Sequence, residues 1–284
     1  MSCEVEEVET TVSEVWTYVD GEYPLPMPSD AHAMHDIEGK VVVVTGSGRG
    51  IGRGMALHLA KGGARVVVAE WKDELLASTV AEIEALGAEC LGVTTNIMER
   101  ADIDAMVEAT VERFGRVDAL VNNAQTFRPL ADIATVSEHD VDVFYTSGVK
   151  GTLWAMQAVH PHMRAQRWGR IVNFASSMGI TGGAGFAAYN ASKEAIRALT
   201  RTAAREWAMD GIVVNAIAPA AATHKGASAT QSEGYRQFIE NCPMRRQGDP
   251  EWDLGPLAWF LCSDACRYVT GHTFMADGGA FMWA

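Results

Sequence analysis

From Ile37 onward the chain repeats one pattern: a short run of β-branched and apolar residues, then a longer stretch with helical periodicity. The runs are KVVVVTG (40–46), ARVVVAE (64–70), ECLGVTT (89–95), VDALVNN (117–123), GRIVNFA (169–175), IVVNAIA (212–218) and HTFMADG (272–278). Several are apolar without alternation, as a parallel strand covered on both faces requires. The stretches between them, 51–62, 73–86, 101–114, 138–165, 187–209 and 250–262, predict helices. Strand and helix alternating along the whole length predict an α/β fold with a doubly wound, mostly seven-stranded parallel sheet. No repeat, low-complexity tract or linker divides residues 37–284, which are expected to form a single domain. Residues 1–36 differ, acidic first and then proline-punctuated in YPLPMPSD. They read as an extension, either mobile or laid across the domain or a neighbouring subunit.

Composition narrows the function classes. Net charge is −13, from 36 acids against 23 bases, which argues against a nucleic-acid backbone or an anionic membrane as partner. The first fourteen residues hold Glu4, Glu6, Glu7, Glu9 and Glu14 and lack the basic and apolar regions of a signal peptide. No apolar run reaches the ~18 residues of a membrane span. Five scattered cysteines suggest reduced thiols, so a cytoplasmic location is expected.

The first strand ends in TGSGRGIG, Thr45 to Gly52, where a helix begins. Glycines 46, 50 and 52 let the backbone turn tightly and approach a pyrophosphate, whose charge then sits at a helix N-terminus. Three glycines alone are weak evidence. Here they directly follow the first strand, and Glu70 closes the second strand eighteen residues after Gly52. That is near the spacing of the acid that binds an adenosine ribose. The turn thus offers Gly46, Ser47, Arg49, Gly50, Ile51 and Gly52 as dinucleotide contacts. A carboxylate at the ribose 2′-hydroxyl repels a 2′-phosphate, so the direct reading is NAD. Arg49 and Lys72 could each reach a phosphate, which keeps NADP as the alternative, or they could be solvated surface cations.

YNASK, residues 189–193, places Tyr189 and Lys193 on one face of a predicted helix. On spacing alone this is either an ordinary i,i+4 pair or a phenol tuned by an ammonium. A free tyrosine, with a pKa of about 10, is a poor base near neutrality. An ammonium ~6 Å away at an effective dielectric of ~20 would favour the phenolate by ~2.8 kcal/mol, lowering that pKa by roughly two units.

In order along the chain, TGSGRGIG, VNNA (121–124), GRIVNFASS (169–177), YNASK, VNAIAPAAAT (214–223) and VTGHTFMADGG (269–279) resemble the short, single-domain branch of the short-chain dehydrogenase/reductase family. The resemblance runs from Ile37 to the C-terminus. It implies a Rossmann-like sheet, a nicotinamide cofactor, reversible hydride transfer with an alcohol or carbonyl, and homodimers or homotetramers assembled through long helices. Carried over, Tyr189 would be the acid/base, Lys193 its partner, and Ser176 the residue holding the substrate oxygen. Asn122, Asn123 and Ala124 would lie along the cofactor. Asn96, with Ile97 beside it, falls where an aspartate usually sits near the adenine. Pro219 and Thr223 match the turn that meets the nicotinamide carboxamide.

Two departures stand out. NNAG of the family is NNAQ here, putting Gln125 where a glycine usually lines the cleft. The helix asparagine, fourth catalytic member of the family, aligns with Gly148, which puts its water relay from the lysine in doubt. A mid-helix glycine costs about 1 kcal/mol relative to alanine, so it suggests a bend or room for another group. Either the backbone carbonyl near 148 with a water keeps the solvent path, or Gln125 is a compensating amide, or it orients substrate.

Substrate contacts are expected from Gln125, Phe127, Ser176, Met178, Ile180 and Phe186, an apolar wall suited to a bulky, weakly polar alcohol or ketone. The segment Ala220–Ala229, AAATHKGASA, is small-residue-rich and predicts a mobile lid. His32, His35, His160 and His162 form no plausible ligand set, so no metal is expected. Cys262 and Cys266 read as buried or surface thiols rather than a redox site. Trp154, Trp207 and Trp259 read as core or subunit contacts, and the FMWA tail as interface. Two rivals remain. A dehydratase or epimerase of the same fold usually carries a longer C-terminal substrate domain, and none fits after MADGG. A nucleotide-sensing module with lost catalysis would explain Gly148 and Gln125.

Overall fold

The computed structural model describes residues 37–129, 131–221 and 239–282. The extension 1–36, Thr223 and the rest of the expected lid beyond Ala221 lie outside the described residues.

Seven strands form one sheet: β1 (Val41–Thr45), β2 (Arg65–Glu70), β3 (Cys90–Thr94), β4 (Ala119–Asn122), β5 (Gly169–Phe174), β6 (Ile212–Pro219) and β7 (Thr273–Ala276). Every pairing is parallel, in the order β3-β2-β1-β4-β5-β6-β7. All seven predicted runs are strands, within two residues at both their starts and their ends.

The apolar runs are continuous because both faces are covered. Val42, Val44, Val66, Val68 and Val121 pack with Met55 and Leu59 of α1 (Gly50–Lys61), Ile83 of α2 (Asp73–Ala85), and Ala258 and Leu261 of α8 (Gly255–Cys262). Their neighbours Val41, Val43, Val67 and Leu120 face the other way. They meet Ile103 and Met106 of α3 (Arg100–Phe114), Met156 and Met163 of α5 (Gly151–Gln166), and Ala203 of α7 (Ala187–Glu206). Each such side chain contributes about 1.5–3 kcal/mol on full burial. At the edge, β3 is half-exposed and tolerates Gly92.

The predicted helix 138–165 is not one helix. It runs as α4 (Glu138–Phe144), a π-helical turn (Tyr145–Lys150) and α5. Within that turn Ser147 Oγ donates to the Val143 carbonyl at 2.7 Å. Gly151 starts α5 where a Cβ would lie 2.7 Å from the Ile97 carbonyl oxygen, so the helix approaches the end of β3 only through a glycine. The predicted helix 250–262 begins only at Gly255. Before it, Asp249 Oδ1 accepts from the amides of Glu251 and Trp252, and Pro256 opens α8. A further short helix, α6 (Ser177–Thr181), had no periodic signal.

Among the described residues no helix is long and apolar enough to cross a membrane. His160 is occupied structurally, stacked on Trp207 at 4.5 Å with Nε2 3.2 Å from Asp210 Oδ2. Cys262 and Cys266 are buried thiols, and burial pushes Cys266 up to about 11.

Candidate active site

The strand order reverses between β1 and β4, which opens a crevice at the carboxyl ends of the strands. The glycine turn after β1, Glu70 at the end of β2 and the loop after β4 meet at these strand ends, and Ser176 follows β5. After β1, Gly46 and Gly50 take positive φ of 64° and 55°. A Cβ on Gly52 would stand 2.3 Å from the Gly46 carbonyl oxygen, so only glycine closes this turn. Ser47 is buried, with Oγ donating to the Val44 carbonyl at 2.7 Å. Arg49 is exposed and Ile51 packs toward the core.

Glu70 is 5% exposed and fixed by three backbone amides. Oε2 accepts from Gly48 N at 3.2 Å; Oε1 accepts from Trp71 N at 3.1 Å and Lys72 N at 3.2 Å. Gly48 was not singled out in the sequence, yet a Cβ there would lie 2.6 Å from Glu70 Cγ. Its glycine spacing gave a signal, because the turn holds four glycines rather than three. Lys72 is exposed, with its ammonium over the Trp71 ring at 5.2 Å.

After β3, Asn96 Oδ1 accepts from Met98 N at 3.1 Å, shaping the loop that carries Ile97. After β4, Asn123 Nδ2 donates to the carbonyls of Thr45 and Gly46, and Ala124 N donates to Thr45 Oγ1. These bonds tie the glycine turn to the β4 end. The Asn122 amide is engaged elsewhere, donating to Asn173 Oδ1 at 2.9 Å inside the sheet. Pro219 ends β6 in the same crevice.

The cradle fits a dinucleotide. Its turn admits no Cβ at Gly46 or Gly52, its helix N-terminus offers free amides, and its carboxylate closes the adjacent strand.

Ser176, 7% exposed, follows β5 and caps α6, its Oγ accepting from Met178 N at 3.2 Å. The Ser176 hydroxyl is near enough to the Tyr189 phenol to favour its ionised form. Lys193 Nζ lies 5.5 Å from the Tyr189 ring centroid and donates to the Phe174 carbonyl at 2.8 Å. Three further rings surround the phenol: Phe127 at 5.9 Å, Phe144 at 5.7 Å and Phe186 at 6.0 Å. Phe144 was missed in the sequence, although it sits one helical turn before Gly148 and so faces the same side. Phe127 is 61% exposed, which leaves it free to meet a ligand. A bridge between Ala131 and Phe186, with Ala131 N donating to the Gly185 carbonyl, brings the loop after β4 beside the tyrosine.

The electrostatics correct the expected sign. Burial pushes the Tyr189 phenol above its ordinary value, partly countered by the Ser176 hydroxyl. Burial also lowers Lys193 from 10.5 to about 7. In both groups burial, which strips water from the charged form, sets the direction.

A folded pKa of about 7 against an ordinary 10.5 has a consequence for stability. The unfolded chain holds more protons between those values, so this group raises stability as pH climbs through that window and is least favourable below it. Lys193→Met is therefore expected to melt above the parent protein near pH 6.5. The gap should narrow by about 3 kcal/mol by roughly pH 9. Thermal unfolding of both proteins across this range checks it, and a constant or widening gap contradicts it.

Residues 46–280 match a family model described as enoyl-(acyl carrier protein) reductase. The chain is 38% identical to a 3-oxoacyl-[acyl-carrier-protein] reductase of Staphylococcus epidermidis over 245 residues, 86% of this chain and 99% of the relative. It is 37% identical to the (2S)-[(R)-hydroxy(phenyl)methyl]succinyl-CoA dehydrogenase subunit BbsD of Thauera aromatica, over 87% of this chain and 99% of the relative. Among solved structures, a 7α-hydroxysteroid dehydrogenase complexed with NADH and 7-oxoglycochenodeoxycholic acid superposes with a TM-score of 0.81 at 29% identity. That match covers 87% of this chain and 96% of the other. A gluconate 5-dehydrogenase of Burkholderia cenocepacia in complex with NADP and tartrate gives 0.82 at 30%, covering 88% and 98%. With a crevice built for a dinucleotide and a Ser-Tyr-Lys cluster beside it, this chain belongs to the short-chain dehydrogenase/reductase family and is an oxidoreductase.

Proposed function

We propose that this protein transfers hydride between NAD and a secondary alcohol or its ketone, the organic partner being bulky and weakly polar. The observation that carries this reading is the Tyr189 phenol beside Ser176, with Lys193 Nζ 5.5 Å from its ring centroid and Phe127, Phe144 and Phe186 around it. A bound nicotinamide supplies or accepts the hydride. The protein supplies the proton and the orientation. In reduction, Tyr189 donates its proton to the carbonyl oxygen while Ser176 donates a hydrogen bond to the same atom. In oxidation, the phenolate takes the hydroxyl proton, a form that the raised pKa makes scarce near neutrality. Reduction should therefore hold its rate at neutral pH, and oxidation should climb with pH.

Glu70 favours NAD. Three amides hold its carboxylate in place, so a 2′-phosphate would meet a negative charge that cannot swing away. The aromatic ring around Tyr189 supports an apolar substrate, and a related fold is known with a bulky polycyclic ligand. A homodimer or homotetramer is the expected assembly, which light scattering would reveal, and a cytoplasmic setting suits reduced thiols.

A spectrophotometric screen of secondary alcohols and ketones with NAD(H) and NADP(H) tests the reading. Turnover of polycyclic or aryl alcohols, with NAD preferred, is expected. Preferred use of a small charged hydroxy acid contradicts the substrate class. Tight nucleotide binding without turnover across the panel favours a sensing module instead.

A further inference from the structure

Gly148 and Gln125 are sterically linked. Gly148, in the π-helical turn, carries no side chain, and Gln125, in the loop after β4, reaches into the space it leaves. A Cβ on Gly148 would lie 2.6 Å from Gln125 Nε2 and 3.2 Å from its Cδ. The amide is locked in that position. Nε2 donates to Ser192 Oγ at 3.1 Å, and Ser192 Oγ donates to the Tyr189 carbonyl at 2.8 Å. Ser192 is fully buried and directly precedes Lys193, so Gln125 is tied to the helical turn that bears both reacting side chains. Its other end is unfinished: Oε1 is buried and has no hydrogen-bond partner. A buried acceptor left without a donor is costly, and proteins meet such atoms with ordered water. Lys193, meanwhile, commits only one ammonium proton to Phe174, and burial alone lowers its pKa, with no charged side chain contributing.

We propose that Gln125 is the positioning residue of the proton relay, its Oε1 accepting from a water that in turn accepts from Lys193 Nζ. This rests on the oxidoreductase reading of Tyr189. In alcohol oxidation the O–H bond of the substrate breaks, its proton passes to the Tyr189 phenolate, and one proton per turnover must reach bulk water. Lys193 releases one proton to the water on Gln125 and regains one from the tyrosine side, so the ammonium is restored and no charge accumulates. Ketone reduction runs the same exchange inward. Gly148 is thus a spatial requirement of Gln125, not a lost function.

The test compares the parent enzyme with Gln125→Leu, Gly148→Asn and the double variant Gln125→Gly/Gly148→Asn, using the alcohol turned over in the screen. Gln125→Leu should lower kcat about tenfold, leave the alcohol KM within about twofold, and enlarge the solvent isotope effect on kcat. Gly148→Asn alone should also lose activity, because its Cβ displaces the glutamine amide. The double variant, with the amide returned to the helix, should recover to within about threefold of the parent. Parent kcat and an unchanged isotope effect in Gln125→Leu would overturn the proposal, as would a double variant no better than either single one. A crystal structure gives a second readout, independent of turnover: one water bonded to both Gln125 Oε1 and Lys193 Nζ is expected, and its absence overturns the relay. Tyr189→Phe, run alongside, separates the two failures. Full activity in that variant defeats the oxidoreductase assignment of the site, whereas an inactive Tyr189→Phe with an unaffected Gln125→Leu defeats only the relay.

Discussion

Tyr189→Phe is expected to lower kcat by about a thousandfold, roughly 4 kcal/mol of transition-state stabilisation, while NAD affinity stays within a few-fold. The phenyl ring remains packed among Phe127, Phe144 and Phe186, so the cleft keeps its shape and only the proton donor is lost. Ser176 retains its place as N-cap of α6, accepting from Met178 N, and still offers its hydroxyl to the substrate oxygen. The residual rate then measures what orientation and Ser176 supply without an acid/base. Steady-state kinetics together with NAD titration decide it. A variant with near-parent kcat would remove Tyr189 from the chemistry, and one that lost NAD binding equally would make the effect structural.

Glu70→Ser is expected to shift the NADP-to-NAD preference by about a hundredfold, close to the 3 kcal/mol that one charge-assisted hydrogen bond and its repulsive counterpart supply. The shift has two parts. NAD loses its acceptor at the ribose, and NADP gains relief from a fixed carboxylate, with the exposed Arg49 and Lys72 free to meet the phosphate. The variant should also unfold more easily, by about 1–3 kcal/mol, because the amides of Gly48, Trp71 and Lys72 lose their acceptor. Kd values for both cofactors on both proteins measure it. Tighter NADP than NAD binding in the parent protein would show that the two cations outweigh Glu70.

The sheet was legible because its signal is local. Runs such as VVVV at 41–44 need no long-range information to declare a strand covered on both faces, and Val41 and Val42 indeed pack on opposite sides. The glycine turn, Glu70 and YNASK were legible as motifs, since their chemistry dictates residue type and spacing. What the sequence hid depends on three-dimensional proximity. The hydrophobic period runs unbroken through 138–165, so the π-helical turn left no trace beyond the glycines at 148 and 151. Phe144 and Gly48 act on partners that only the fold brings near, Tyr189 in one case and Glu70 in the other. The sign of the Tyr189 shift was unreadable for the same reason. Spacing gives the distance to Lys193, but not how much water both groups lose.

The most direct test of hydride transfer through this site follows the label itself. A polycyclic ketone reduced by the screen is incubated with the protein and NADH carrying deuterium at both C4 positions, and the alcohol is weighed by mass spectrometry. One deuterium at the carbinol carbon is expected with the parent protein, and almost no labelled product in the same time with Tyr189→Phe. Product alcohol bearing only solvent hydrogen at that carbon would contradict the account.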